Sequence, residues 1–144
     1  MEQVVPPQER GRSAPETRAA RVVVLAADLI WGTRLEALVR GAGARPVRAR
    51  DLRQLAELLA GADPVDGVVV DTTSRAYDGV AAVALAAGDG RAVLAAAQHD
   101  DVDLRRRALE AGATKVLPYA RLHADGAALI GAWLTGRAAA GPRR

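Results

Sequence analysis

The sequence predicts a three-layer α/β sandwich, a five-stranded parallel sheet with helices on both faces. Three observations carry that prediction. Short apolar runs alternate five times with segments of helical period. Two of the runs, RVVVLA and DGVVVD, lack the polar–apolar alternation of a half-buried strand, and Asp or Gly stands at most of the junctions. Strands without alternation are buried on both faces. Single helices between successive strands impose parallel pairing and right-handed crossovers.

Arg21–Ala26 is the first strand. Asp28 caps the next helix, on which Trp31, Leu35, Leu38 and Ala42 fall at helical spacing, and Gly41 and Gly43 end it. Ala44–Arg50 is a weaker strand with Pro46 near its start, which places it at a sheet edge. Asp51 then caps a helix bearing Leu52, Leu55, Leu58 and Leu59, closed by Gly61. Asp66–Asp71 is a fully apolar strand ending in a carboxylate, followed by a polar loop to Asp78-Gly79 and an alanine-rich helix to about Ala87. Arg91–Ala97 is another buried strand, Asp100 to Ala111 a helix closed by Gly112, and Thr114–Pro118 the last strand. A closing helix from Leu122 to Thr135 carries Ile130, Trp133 and Leu134 as its apolar stripe. Ligand sites in open parallel sheets lie at the carboxyl ends of the strands. Here those ends are Ala26, Ala27 and Asp28, then Asp71, then Ala97 and Gln98, then Pro118 and Tyr119.

Composition bounds the function. The 144 residues suit one domain, residues 20–136, between a disordered arm over 1–19 and a disordered basic tail over 137–144. With no cysteine and only His99 and His123, disulfides, thiolate metal sites and a multi-histidine zinc site are excluded. All but one of the 20 basic residues are arginines, as a GC-rich genome would encode. Residues 21–136 hold 14 acidic and 14 basic side chains, so the net charge of +3 sits in Arg137, Arg143 and Arg144. A nucleic-acid-binding domain normally shows a basic face within its folded part, so none is expected here. No apolar run approaches the ~20 residues of a membrane span, and Met1 to Ala20 has no secretory h-region, so a cytoplasmic protein is expected.

Three features resemble the receiver domains of bacterial response regulators, including the single-domain chemotaxis type, over about Arg21 to Trp133. Asp78-Gly79 follows Asp71 at seven and eight residues, the family's spacing from phosphoacceptor to the D-G helix start. Ala108-Leu-Glu-Ala-Gly-Ala113 resembles the A-x-x-A-G-A before the family's last strand. Gly112 lies fifteen residues beyond Ala97, the interval from the family's switch Ser/Thr to that glycine. The resemblance implies the flavodoxin-like strand order 2-1-3-4-5. It also makes Asp71 the equivalent of the phosphoacceptor.

The departures point the other way. Where the family has two adjacent acids that hold Mg²⁺, this chain has Ala26 and Ala27, followed by Asp28. The Ser/Thr position is Ala97, and the aromatic switch position is Val116. The family's lysine is Tyr119 and the proline after it Ala120, while the proline four residues past the phosphoacceptor is Arg75. Sliding the last strand to bring Lys115 into the lysine slot would break the Gly112 spacing. The reading is a degenerate pseudo-receiver: Asp71 is expected to stand isolated among small apolar neighbours, with no catalytic residue. No cofactor is expected, and Asp28 and Asp71 serve as ligands only if residual Mg²⁺ binding survives.

Each candidate also has a plainer role. Asp71 can cap its own loop by accepting N–H groups from Thr72 to Ser74. Asp28 and Asp78 can be helix caps, and Asp100 and Asp101 beside His99 can cap the helix they precede. Arg105–Arg107 fan around a helix as a solvated face, and Trp31 and Trp133 fit apolar stripes as core or interface anchors. The expected function is a phosphorylation-independent, non-enzymatic module of two-component signalling. By resemblance it contacts a protein partner, or a second copy, through the last two helices and the strand between them. Arg105, Arg106, Tyr119, Arg121 and Trp133 are the candidate contacts. The alternatives are a weak phosphoacceptor using Asp71 and an unrelated flavodoxin-like small-ligand module.

Overall fold

The computed structural model describes residues 18–140, with side chains described through Gly136. Most of the expected N-terminal arm, and residues 141–144 of the expected tail, lie outside the described residues. Strands β1 (Arg21–Leu25), β2 (Arg45–Ala49), β3 (Gly67–Asp71), β4 (Ala92–Ala97) and β5 (Lys115–Pro118) alternate with helices α1 (Leu29–Gly41), α2 (Leu52–Ala60), α3 (Gly79–Ala87), α4 (Val102–Ala111) and α5 (Tyr119–Ala140). The sheet is wholly parallel, in the order β2-β1-β3-β4-β5. The proline-bearing strand is an edge, as its missing N–H requires.

β1, β3 and β4 are buried almost throughout, which is why their sequences run apolar without alternation. One core lies under α1 and α5, built on Val22, Val24, Val69, Leu94, Leu122, Ile130 and Trp133. The other lies under α2, α3 and α4, built on Val23, Leu25, Val68, Val70, Leu55, Val83 and Ala108. Because side chains alternate between faces, neighbouring valines in VVV feed opposite cores.

Asp28, Asp51, Asp78 and Asp101 each accept a hydrogen bond from a backbone N–H in the first turn of the helix that follows. Two glycines are required by geometry. Gly112 ends α4 at φ +119°, a left-handed conformation costly for any residue with a Cβ. A Cβ on Gly79 would stand 2.8 Å from the Thr72 Cα, so the start of α3 can press against the β3 loop only as glycine.

α5 departs from expectation at both ends. It begins at Tyr119 rather than Leu122 and runs to Ala140 rather than Thr135. It is also broken: Asp125 has φ −136° and ψ 27°, which separates a first segment carrying Tyr119 and Leu122 from the longer remainder. No helix among the described residues is long and apolar enough to cross a membrane.

Candidate functional site

The register brings the strand ends together. Val70 pairs with Leu25, and Asp71 with Ala96, so Asp71 projects one residue past the line at which β1 ends, level with Ala26. The carboxylate is 1% exposed. A buried carboxylate must be matched by donors, and here three converge on one oxygen. Thr73 donates both its backbone N–H, at 2.9 Å, and its hydroxyl, at 2.7 Å, to Asp71 Oδ1. The hydroxyl of Tyr119 donates to the same oxygen. The expected loop cap is therefore present, but the expected isolation among small apolar neighbours is not. The strand ends in a turn that Asp71 organises through residue i+2, and a phenol from the start of α5 closes over it.

A second tyrosine completes the lid. The Tyr77 hydroxyl lies 2.8 Å from the backbone oxygen of Asp71 and 3.1 Å from that of Leu25, its single proton shared between them. It ties the ends of β1 and β3. Burial, and then the charge of Asp71, push both phenols well above the ordinary tyrosine range. For Tyr119 the hydrogen bond to Asp71 adds to that effect. Both therefore stay protonated and act as donors. The Thr73 N–H falls within the expected Thr72–Ser74 cap, whereas the Thr73 hydroxyl and Tyr77 escaped the sequence reading. The signal for Thr73 was the Asp-x-Thr spacing of an Asx-turn, whereas Tyr77 offered none.

Behind Tyr119 stands Trp31, with ring centroids 4.1 Å apart and planes tilted by 51°. The Arg34 guanidinium lies 5.4 Å from the Trp31 ring centroid. Trp31, Arg34, Leu38, Leu122 and His123 line a shallow apolar groove on this side. The remaining pocket positions supply no chemistry. Ala26 and Ala97 are buried methyl groups, with Ala27 beside them, and Asp28 accepts the Trp31 N–H at 2.8 Å as a helix cap.

The residues do not fit the Mg²⁺ that the resemblance implies. Mg²⁺ demands several oxygen ligands in a near-octahedral shell. The alanines offer none, one oxygen of Asp71 is occupied by three donors, and Asp28 is engaged at its helix. Among the described residues no three His, Asp or Glu side chains cluster to hold a metal ion, and His99, Asp100 and Asp101 are no exception. Asp101 caps α4 by accepting the Leu104 N–H. Lys115 pairs with Leu94, two register positions behind the Ala96 that pairs with Asp71, so it does not reach the carboxylate end.

The expected interaction face divides. Arg105 and Arg121 are exposed and flank β5 in an open groove. Arg106 is exposed but turned along α4 to Asp103 and Glu110, and Arg107 also pairs with Asp103. Two expected contacts are corrected. Trp133 is 5% exposed and packs on Gly67, beneath the sheet surface. Tyr119 is 8% exposed and committed to Asp71. Both lie inside the molecule because the apolar stripe of α5 faces the sheet, which leaves Arg121 as the outward residue.

No family model matches the chain, and no curated protein matches it in sequence. Solved structures do match in fold. A LuxR-family two-component response regulator from Aurantimonas aligns with TM-score 0.70 and 25% identity, over 83% of this chain and 87% of that one. A response regulator from Thermotoga maritima aligns with TM-score 0.69 and 16% identity, over 81% and 98%. A receiver domain from Clostridium thermocellum aligns with TM-score 0.68 and 18% identity, over 81% and 95%. The chain thus has the fold of response-regulator receiver domains, the flavodoxin-like sandwich with strand order 2-1-3-4-5.

Proposed function

We propose that this chain is a receiver-like signalling module in which Asp71 no longer accepts a phosphoryl group, and which works through protein contacts. The observation that carries the reading is the Tyr119 hydroxyl on the Asp71 carboxylate, at the position where the resemblance expects a lysine. Phosphoryl transfer relies on positioning and on positive charge around the equatorial oxygens. A neutral phenol supplies no charge, and with the two Thr73 donors it draws on the electron density of Asp71 Oδ1, which weakens the carboxylate as a nucleophile. The neighbouring alanines cannot recruit a cation to compensate. What remains is a receiver scaffold whose conformation is fixed by Tyr77, Tyr119 and Thr73, with a surface at α4, β5 and α5 open for contact.

The test is incubation of the full chain with Mg²⁺ and acetyl phosphate, read by intact mass, with beryllofluoride and tryptophan emission as a second readout. Unchanged mass and emission are expected. A Mg²⁺-dependent phosphoryl adduct that disappears in Asp71→Asn would overturn the reading in favour of a weak phosphoacceptor.

A further inference from the structure

The groove beside β5 narrows what can dock there, an inference that rests on the protein-contact reading above. β5 is last in the sheet and pairs with β4 alone. All of Thr114–Pro118 lines an open groove of about 400 Å³, with Leu109 as apolar footing from α4. Three cations border it: Lys115 on the strand, Arg105 from α4 and Arg121 from α5. None of the three meets an acid among the described residues, because the acids of α4, Asp103 and Glu110, are taken by Arg106 and Arg107.

This pattern discriminates between occupants. A second copy docking through the same groove would bury the same three-cation patch on both sides, with the neighbouring acids Asp103 and Glu110 already paired within each copy. Nucleic acid calls for a broad basic face, whereas residues 21–136 carry equal numbers of acids and bases. An unpaired strand edge with flanking cations suits an extended chain of opposite charge. We propose that the groove takes an extended acidic segment of another protein, added along β5 as a sixth strand.

The layering also fixes the spacing of the acids. α4 covers one face of the sheet and α5 the other, so Arg105 and Arg121 approach the edge from opposite faces. Successive side chains of an extended segment point to opposite faces. Two adjacent acids therefore meet both arginines, while acids at alternate positions reach only one.

The experiment uses the full chain and two short fluorescein-labelled peptides of identical Val, Thr and Glu content. One carries adjacent Glu pairs and the other has Glu at every second position. Fluorescence anisotropy should show the paired peptide binding more tightly, with affinity falling as salt rises. Arg105→Glu combined with Arg121→Glu, both at exposed positions, should weaken it by about tenfold or more. The proposal is overturned if the paired peptide does not bind, or if it binds no better than the alternating one. It is equally overturned if the charge-reversed chain, shown folded by circular dichroism, binds as before, or if an oligothymidine displaces the peptide. Each of these failures leaves the Asp71 reading standing, because that reading is judged on phosphoryl mass alone. An adduct on Asp71 would in turn overturn that reading without altering the peptide titration.

Discussion

Tyr119 and Asp71 form a buried pair in which each satisfies the other, so removing one hydroxyl leaves a carboxylate short of a donor. Tyr119→Phe keeps the ring against Trp31 and deletes only that donor. It should lower stability by about 1–3 kcal/mol, measured by urea unfolding. Alkaline pH offers an independent check. Both phenols titrate well above their ordinary value of about 10 in the folded chain, so the unfolded chain loses those protons first. Their contribution is complete below pH 10 and is lost as pH rises beyond it. The urea midpoint should fall above pH 10 in the native sequence and fall less steeply in Tyr119→Phe. A parallel decline in both would show that Tyr119 contributes nothing to the linkage. This residue was legible only in part. Its place at a strand end, and its standing where the resemblance expects a lysine, could be read from the sequence. Its hydrogen bond could not, because that depends on α5 beginning at Tyr119, three residues before the periodic stripe that announces the helix.

Helix caps account for most of the acidic residues that looked like chemistry. Asp78 accepts hydrogen bonds from Val80 and Ala81 N–H at 3.0 Å each. Asp78→Ala should cost about 1 kcal/mol, while Asp78→Asn, an equally good capping residue, should cost little; thermal unfolding of the two variants compares them directly. An equal loss in both would point to the charge rather than the cap. The same logic made the elements readable in advance. Cap at the start, glycine at the end and uninterrupted apolar strands are local signals, and every strand and helix expected from them is present. The break at Asp125 was hidden because it answers to packing: a Cβ on Gly126 would stand 2.6 Å from a Leu38 methyl, a contact between α5 and α1 that no local pattern encodes.

Across the whole molecule, one sheet serves two cores, and Trp133 ties the sheet to α5. A Cβ on Gly67 would stand 2.8 Å from the Trp133 ring, so Gly67→Ala must displace either the indole or the central strand. Overpacking of this kind costs about 1–3 kcal/mol. Because β3 contributes to both cores, the loss should shift tryptophan emission and far-ultraviolet circular dichroism to the same lower midpoint. Separate midpoints would mean that the two cores melt independently. The discontinuity at Asp125 sets a different timetable for one small piece. Helical hydrogen bonding propagates only through consecutive helical residues, so the opening turn of α5 cannot borrow protection from the long segment after it and is retained chiefly by Tyr119 and Leu122. Backbone amides from 120 to 124 should take up deuterium well before those from 128 to 136, and sooner still in Asp71→Ala, where the latch on that turn has been cut.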